Sequence, residues 1–264
     1  MKRYIACPLT IISATFNINP CVTMTKRAKE LIKTLIIFRN IKRKGVSMKQ
    51  FKYYIFDFDG TLVDSMPYWS LSMLTVLEQN NVKYPDDIIE KITPLGNIGA
   101  ARYFIDKFGI SMSVDEIVEN IVTVAYPYYR DKVLLKKGVN DLLSHIKNNG
   151  GSLNILTASP HKTVDACLRR IGIFDWFDNV WSCEDFGTTK SDPNIYVSAV
   201  ERLGGSIKET VFFDDNIGAA KTAKQSGLFT VGVYDSSGES FKSELSETCD
   251  VFIDSYLSAI GKEI

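Results

Sequence analysis

The chain has 264 residues, 45% of them apolar and 23% charged, and its 31 basic and 31 acidic side chains cancel to a formal charge of zero. This is the composition of a folded chain of one large or two smaller domains, and no run approaches the ~18 apolar residues that a membrane span needs. Five cysteines (Cys7, Cys21, Cys167, Cys183, Cys249), odd in number and never in CxxC spacing, exclude a disulfide framework and a structural zinc site and point to a reduced, cytoplasmic setting.

Residues 1–47 hold ten Lys/Arg and one acid, Glu30, whereas the remaining 217 residues hold 21 basic and 30 acidic side chains. "MKRYIACPLTIISATFNINPC" imitates a secretory leader but lacks a clear A-x-A site. "TKRAKELIKTLIIFRNIKRK" has the pattern of a basic amphipathic helix for an anionic surface. A third reading is that Arg43-Lys44-Gly45 is spelled by the purine-rich codons of a ribosome-binding site just ahead of Met48. We therefore expect 1–47 to be a leader foreign to the native protein, which would start at Met48. The acidic remainder argues against a surface for nucleic acid.

From Lys52 the pattern alternates. "KYYIFDF" (52–58) is an apolar run that ends on Asp57 and Asp59, followed by Gly60-Thr61. The next ninety or so residues contain no good strand. Helical patterns there cover 67–80, 85–91, 97–108 and 114–132, the last opened by a capping box of Ser113 and Glu116. A helix over 139–149 closes on Gly150-Gly151. "SLNILT" (152–157) then reads as a strand running into Ala158 and Ser159, with Ser159 as N-cap and Pro160 as first residue of a helix over 160–170. Lys190 precedes a helix over 193–203, capped by Asp192 and opened by Pro193. "TVFFDD" (210–215) is a strand ending on Asp214-Asp215, followed by a helix over 217–226 and strands at 229–234 and 250–253. Nearly continuous apolar strands separated by helices predict an α/β fold, a doubly wound parallel sheet covered on both faces. The helices after the first strand predict an inserted all-helical unit. The expected division is 48–64 with 136–264 as the core and 65–135 as the cap.

In such sheets ligands bind beyond the carboxyl ends of the strands. Four polar features fall there: Asp57/Asp59, Thr157-Ala158-Ser159, Lys190 and Asp214-Asp215. Singly, each has a plain explanation. "DFDG" opens like a calcium loop, but a strand precedes it and its twelfth position is Tyr68 in place of the bidentate Glu. Thr157, Ser159 and the Asp pair are all possible helix caps, and a loop lysine is ordinarily solvated. Jointly, each at a strand end, they form a set.

That set, "DFDGT" (57–61), "LTAS" (156–159), Lys190 in "KSDPNIY" and "FFDDN" (212–216), resembles the haloacid dehalogenase-like superfamily over about residues 50–260. The helical insertion after "DGTLVDS" is similar to the family's C1 cap, on the branch of phosphatases and β-phosphoglucomutases. The resemblance implies a Rossmann-like core and a Mg²⁺-dependent phosphatase in which Asp57 attacks phosphorus to form a phospho-aspartate. Asp59 would be the acid and base, a residue that the dehalogenases of the family lack. Lys190 would neutralise Asp57, and the Thr157 hydroxyl, the Ala158 amide and Ser159 would take the phosphate oxygens. The metal ligands would be Asp57, the Asp59 carbonyl and the Asp214/Asp215 pair, with the direct member of that pair left open. The mutases carry a histidine twelve residues past the nucleophile, where this chain has Trp69, so a sugar-phosphate mutase stands as the second reading and a non-catalytic binding module as the third.

A loop "TPLGNIGA" (93–100) is expected to reach the substrate, with Asn97 as its polar contact. Trp69, Tyr68 and "YPYYR" (126–130) are further candidates to line the cleft, although aromatics at helical spacing read first as core. His145 reads as a packed helix residue, and His161 as a neighbour of the phosphate loop. The expected partner is a small phosphorylated metabolite, with neither nucleic acid nor membrane, for a monomer or weak homodimer.

Overall fold

Tyr53–Phe56, flanked by strands on both sides, is buried at every position, which is why its sequence shows no alternation of apolar and polar residues. The computed structural model describes residues 51–256, so the readings made for 1–47 lie outside the described residues. Six parallel strands form one sheet: β1 (Tyr53–Phe56), β2 (Ser152–Thr157), β3 (Asn179–Ser182), β4 (Thr210–Asp214), β5 (Phe229–Val233) and β6 (Val251–Ile253), in the order β3-β2-β1-β4-β5-β6. The chain winds outward from β1 through β2 to β3, then returns to β4 on the other side of β1. The switch point therefore lies between β1 and β4, where Phe56 pairs with Phe213 and their rings stack at 4.5 Å.

The expected doubly wound sheet is present, with one strand more than the sequence suggested. β3 ("NVWS") is a half-buried edge strand of four residues, too short and too polar to stand out. Side chains alternate between the sheet's two faces. Ile55, Leu156 and Phe212 pack against Ile195, Tyr196 and Ala199 of α7 (Pro193–Arg202, after α5 and α6 below). Tyr54, Phe56, Leu153 and Phe213 face α5 (Val139–Asn148) and α6 (His161–Ile171). Two further helices, α8 (Ile217–Gln225) and α9 (Lys242–Thr248), complete the core.

Between β1 and α5 the chain forms the all-helical cap: α1 (Met66–Gln79), α2 (Ile88–Ile92), α3 (Gly96–Phe108) and α4 (Val114–Asp131). The capping box of Ser113 and Glu116 opens α4 as expected. The segment 93–100 is not a loop: Thr93–Leu95 is a single 3₁₀ turn and Gly96 already begins α3, so Asn97 lies in a helix's first turn. Two strands of chain connect cap and core, joined by the Asp64 amide to the Leu134 carbonyl (2.9 Å) and the Lys136 amide to the Leu62 carbonyl (2.9 Å). Beyond these connections α4 packs on α6, and one apolar cluster runs without a break from Trp69, Phe104 and Ile121 of the cap to Phe56 and Val164 of the core. No helix among the described residues is long and apolar enough to cross a membrane. Cys167, Cys183 and Cys249 are free and buried.

Candidate active site

β1 stops at Phe56 and the chain turns at once. Asp57 still donates its amide to the Phe213 carbonyl (2.8 Å), as a continuing strand would, which anchors it beside the end of β4. Gly60 has φ +70°, and a β-carbon there would lie 2.4 Å from Asp215 Oδ2, so only glycine allows the turn and the approach of Asp215 together. Thr61 then donates its hydroxyl to Asp215 Oδ1 (2.8 Å). Behind the turn, half-buried Lys136 donates to the carbonyl oxygens of Gly60 and Tyr234 and pairs with Asp235 at 2.8 Å.

The Lys190 ammonium reaches Asp57 Oδ1 at 2.6 Å and Asp214 Oδ2 at 2.8 Å. The second oxygen of Asp214 accepts the Asn216 amide (2.7 Å), and Asn216 caps α8 through the amides of Gly218 and Ala219. Carboxylate oxygens of Asp57, Asp214 and Asp215 all lie within 4.8 Å of one another. Burial pushes the Asp57 carboxyl up to about 7, the charges of Asp214 and Asp59 push the same way, and Lys190 opposes them. Burial also raises Asp215 well above the carboxylate range, with Asp214 and Asp57 adding to it. For Lys190 burial pulls downward, but the two aspartates outweigh it and hold the ammonium charged. Two buried carboxylates thus share one cation, with a third, half-buried, close by. Like charges ~4 Å apart repel by about 4 kcal/mol at an effective dielectric of 20. A hard divalent ion would answer that shortfall, and oxygen donors converging from two strand ends are a set that could hold one.

Asp59 lies outside this ionic cluster and is held by hydroxyls. Ser65 donates to its Oδ1 (2.6 Å), Tyr129 donates to the same oxygen, and Ser159 donates to Oδ2. Burial first, then the charge of Asp59, holds the Tyr129 phenol well above its usual range, so it stays a donor. Ser159 therefore departs from the expected cap. α6 begins one residue later, at His161, with Pro160, which has no side-chain acceptor, in the N-cap position, and the Ser159 hydroxyl donates to Asp59. Thr157 is buried with Oγ1 accepting the Ser159 amide (3.1 Å), and Ala158 is exposed at the mouth of the turn.

Of the residues singled out in the sequence, Asp57, Lys190, Asp214 and Asp215 are brought into one cluster, with Asp59, Thr157, Ala158 and Ser159 on the adjoining turns. Asn97 is partly buried in the cap and makes no hydrogen bond to any of them. His161 faces Asp185 (2.8 Å) and Asp165, away from the carboxylates, and His145 lies on α5. Sequence reasoning missed Ser65 and Lys136, and saw Tyr129 only as one member of an aromatic cluster. A strand-end carboxylate at Asp235, after "FTVGVY", was the available signal for a partner to Lys136.

A parallel sheet with a helical cap and an acidic cluster at its switch point defines a class of hydrolase, and the comparisons with known proteins agree. The haloacid dehalogenase-like hydrolase family model matches residues 51–227. A phosphorylated carbohydrates phosphatase of Thermotoga maritima is 24% identical over 174 residues, 66% of this chain and 81% of that protein. A beta-phosphoglucomutase of Bacillus subtilis is 24% identical over 191 residues, 69% of this chain and 83% of that one. Among solved structures, CbbY from Rhodobacter sphaeroides in complex with phosphate has a TM-score of 0.67 at 19% identity, covering 78% of this chain and 95% of that one.

The chain belongs to the haloacid dehalogenase-like hydrolases. It is an enzyme of the family's phosphatase type, on the branch shared with β-phosphoglucomutases.

Proposed function

We propose that this enzyme hydrolyses the monophosphate ester of a small metabolite, a phosphorylated sugar by preference, in two steps through Asp57. The observation that carries the reading is the contact of Lys190 with both Asp57 and Asp214, beside the free edge of Asp215. In the first step an Asp57 oxygen attacks phosphorus, the ester P–O bond breaks, and the leaving alkoxide takes a proton from Asp59. In the second, water gives a proton to Asp59 and attacks phosphorus, the bond to Asp57 breaks, and inorganic phosphate departs. Lys190 stabilises the charge that gathers on Asp57 and the phosphoryl oxygens. The Thr157 hydroxyl and the Ala158 amide, on the turn just before α6, are suited to the remaining oxygens, with the Ser159 amide holding Thr157 Oγ1 in place.

Asp57, the Asp59 carbonyl and Asp215 would hold Mg²⁺, which when bound neutralises the dianionic substrate among the carboxylates. Asp215 is the better direct ligand of its pair: both Asp214 oxygens are engaged, by Lys190 and by the Asn216 amide, whereas Asp215 has only Thr61 on Oδ1. Residues 65–135 would act as the lid, with Asn97 a contact for the leaving group and 48–64 with 136–264 as the catalytic core.

The mutase reading draws on the same fold and on the match to a beta-phosphoglucomutase. Trp69 speaks against it, being a buried ring packed edge-on to Tyr129 where an imidazole would be needed. The test is release of phosphate from p-nitrophenyl phosphate with Mg²⁺, followed by a panel of phosphorylated metabolites that includes β-glucose 1-phosphate. Turnover that stops with EDTA is expected. Turnover indifferent to EDTA would overturn the metal-assisted reading, and isomerisation without net hydrolysis would favour the mutase.

A further inference from the structure

The hydroxyls around Asp59 come from three separate places in the chain. Ser159 is on the core, at the turn after β2. Ser65 stands at the N-cap of α1, yet makes no cap bond and donates to Asp59 Oδ1 (2.6 Å). Tyr129 is near the C-terminal end of α4, completely buried, and donates to that same oxygen. Its ring has little room to move, with Trp69 edge-on at 5.7 Å and Phe58 at 6.3 Å. Its main chain is fixed as well: the Tyr129 carbonyl accepts Arg170 Nε at 3.3 Å, and the Val133 carbonyl accepts the same guanidinium. Arg170 belongs to α6 of the core. The residue that ties the last cap helix to the core therefore also touches the carboxylate assigned to proton transfer. Among the described residues Asp59 has no ion pair, and its orientation rests on these three donors.

We propose that Tyr129 is a positioning residue for Asp59, aiming its carboxyl at the leaving oxygen only while α4 is seated on α6, so that proton transfer to the leaving group is coupled to the pose of the cap. This rests on the reading of Asp59 as acid and base. A carboxyl without the phenol keeps its chemistry but loses one of two donors that fix Oδ1. The step that suffers is ester cleavage that needs a proton, whereas a leaving group that departs as a stable anion is spared.

The experiment compares kcat/KM of the full chain with Mg²⁺ on phenyl phosphate, a poor leaving group, and on 2,4-dinitrophenyl phosphate, a good one. Tyr129→Phe should lose about tenfold to a hundredfold on the first, the range for one hydrogen bond to a charged group, and less than about threefold on the second. A loss equal on both esters would mean that the phenol only packs the cap, and no loss on phenyl phosphate would dispose of the proposal too. Should Tyr129→Phe fail to fold, Ser65→Ala removes the other donor to Oδ1. It should show the same selective loss, and a uniform loss or none would overturn positioning through that oxygen. Asp59→Asn separates the two levels of the argument. If it is selective and Tyr129→Phe is not, only the role of Tyr129 falls. If Asp59→Asn itself spares phenyl phosphate, the acid-base assignment falls with it.

Discussion

The two aspartates of the first turn lie one residue apart and are held by opposite means. Asp57 is inside a buried ionic cluster, with Lys190 at 2.6 Å and two further carboxylates close by. Asp59 pairs with no cation among the described residues and takes its contacts from Ser65, Tyr129 and Ser159. The first arrangement is suited to gathering negative charge, since a fixed ammonium and room for a divalent ion are worth most where water is excluded. The second fixes direction while adding no charge, as befits a group that must give up a proton and take it back. Charge is handled by the strand ends of the core, and direction is set at the seam between cap and core.

The contrast can be broken at its ionic half first. Asp57→Asn should lower phosphatase turnover by roughly 10⁴-fold or more, the scale at which loss of a nucleophile is felt. The same change removes a carboxylate that burial and its neighbours disfavour, so the thermal midpoint in EDTA should hold or rise. A fall in both would mean that Asp57 is structural. Next in size, Lys190→Ala leaves the buried carboxylates without their cation. A destabilisation of about 3–5 kcal/mol in urea unfolding, together with a large loss of kcat, is the expected outcome. Gly60→Ala comes third. It brings a β-carbon within 2.4 Å of Asp215 Oδ2 and places alanine at φ +70°, so Mg²⁺ affinity measured by calorimetry should fall, with about 1–2 kcal/mol of stability lost to backbone strain.

The ionic half was also the legible half. Asp57, Lys190, Asp214 and Asp215 could be read because each ends or follows a fully buried strand or, for Lys190, stands just before a capped helix, and isolated charges in such places have few uses. The strands themselves were legible for the same reason, β1 being apolar throughout up to Asp57 and β4 apolar from Val211 to Phe213 before Asp214. β3 was not, because an edge strand that is half exposed carries no such run. The donors to Asp59 were hidden for a different reason. Ser65 and Ser159 both sit at helix starts, where the local rule assigns their hydroxyls to capping, as it does correctly for Ser113, Asp192 and Asn216. In both cases the hydroxyl instead donates to Asp59, six residues from Ser65 and a hundred from Ser159, and the helix-start pattern around either serine does not announce it. Tyr129 is harder still, since a core tyrosine and one whose phenol meets a carboxylate have the same helical spacing.

A further expected effect, read through pH and not through a loss of activity, concerns proton linkage at Asp57. In the metal-free protein its carboxyl keeps its proton up to about pH 7, whereas in the unfolded chain it releases it near the ordinary value of 3.8. Between those limits the folded state binds more protons than the unfolded one, so the slope of unfolding free energy against pH is negative: stability present below about pH 4 is lost as pH rises toward 7. This is the reverse of a carboxylate stabilised by a salt bridge, because burial here outweighs Lys190. Urea unfolding in EDTA at several pH values from 4.5 to 7.5 should therefore show a decline of up to a few kcal/mol. Asp57→Asn should flatten that decline by removing the titrating group. Saturating Mg²⁺ should flatten it by another route, since binding requires the carboxylates ionised and grows stronger as pH rises. An unchanged slope in Asp57→Asn would assign the linkage to Asp215, the other carboxyl that burial raises, and would leave Asp57 ionised beside Lys190 throughout the range.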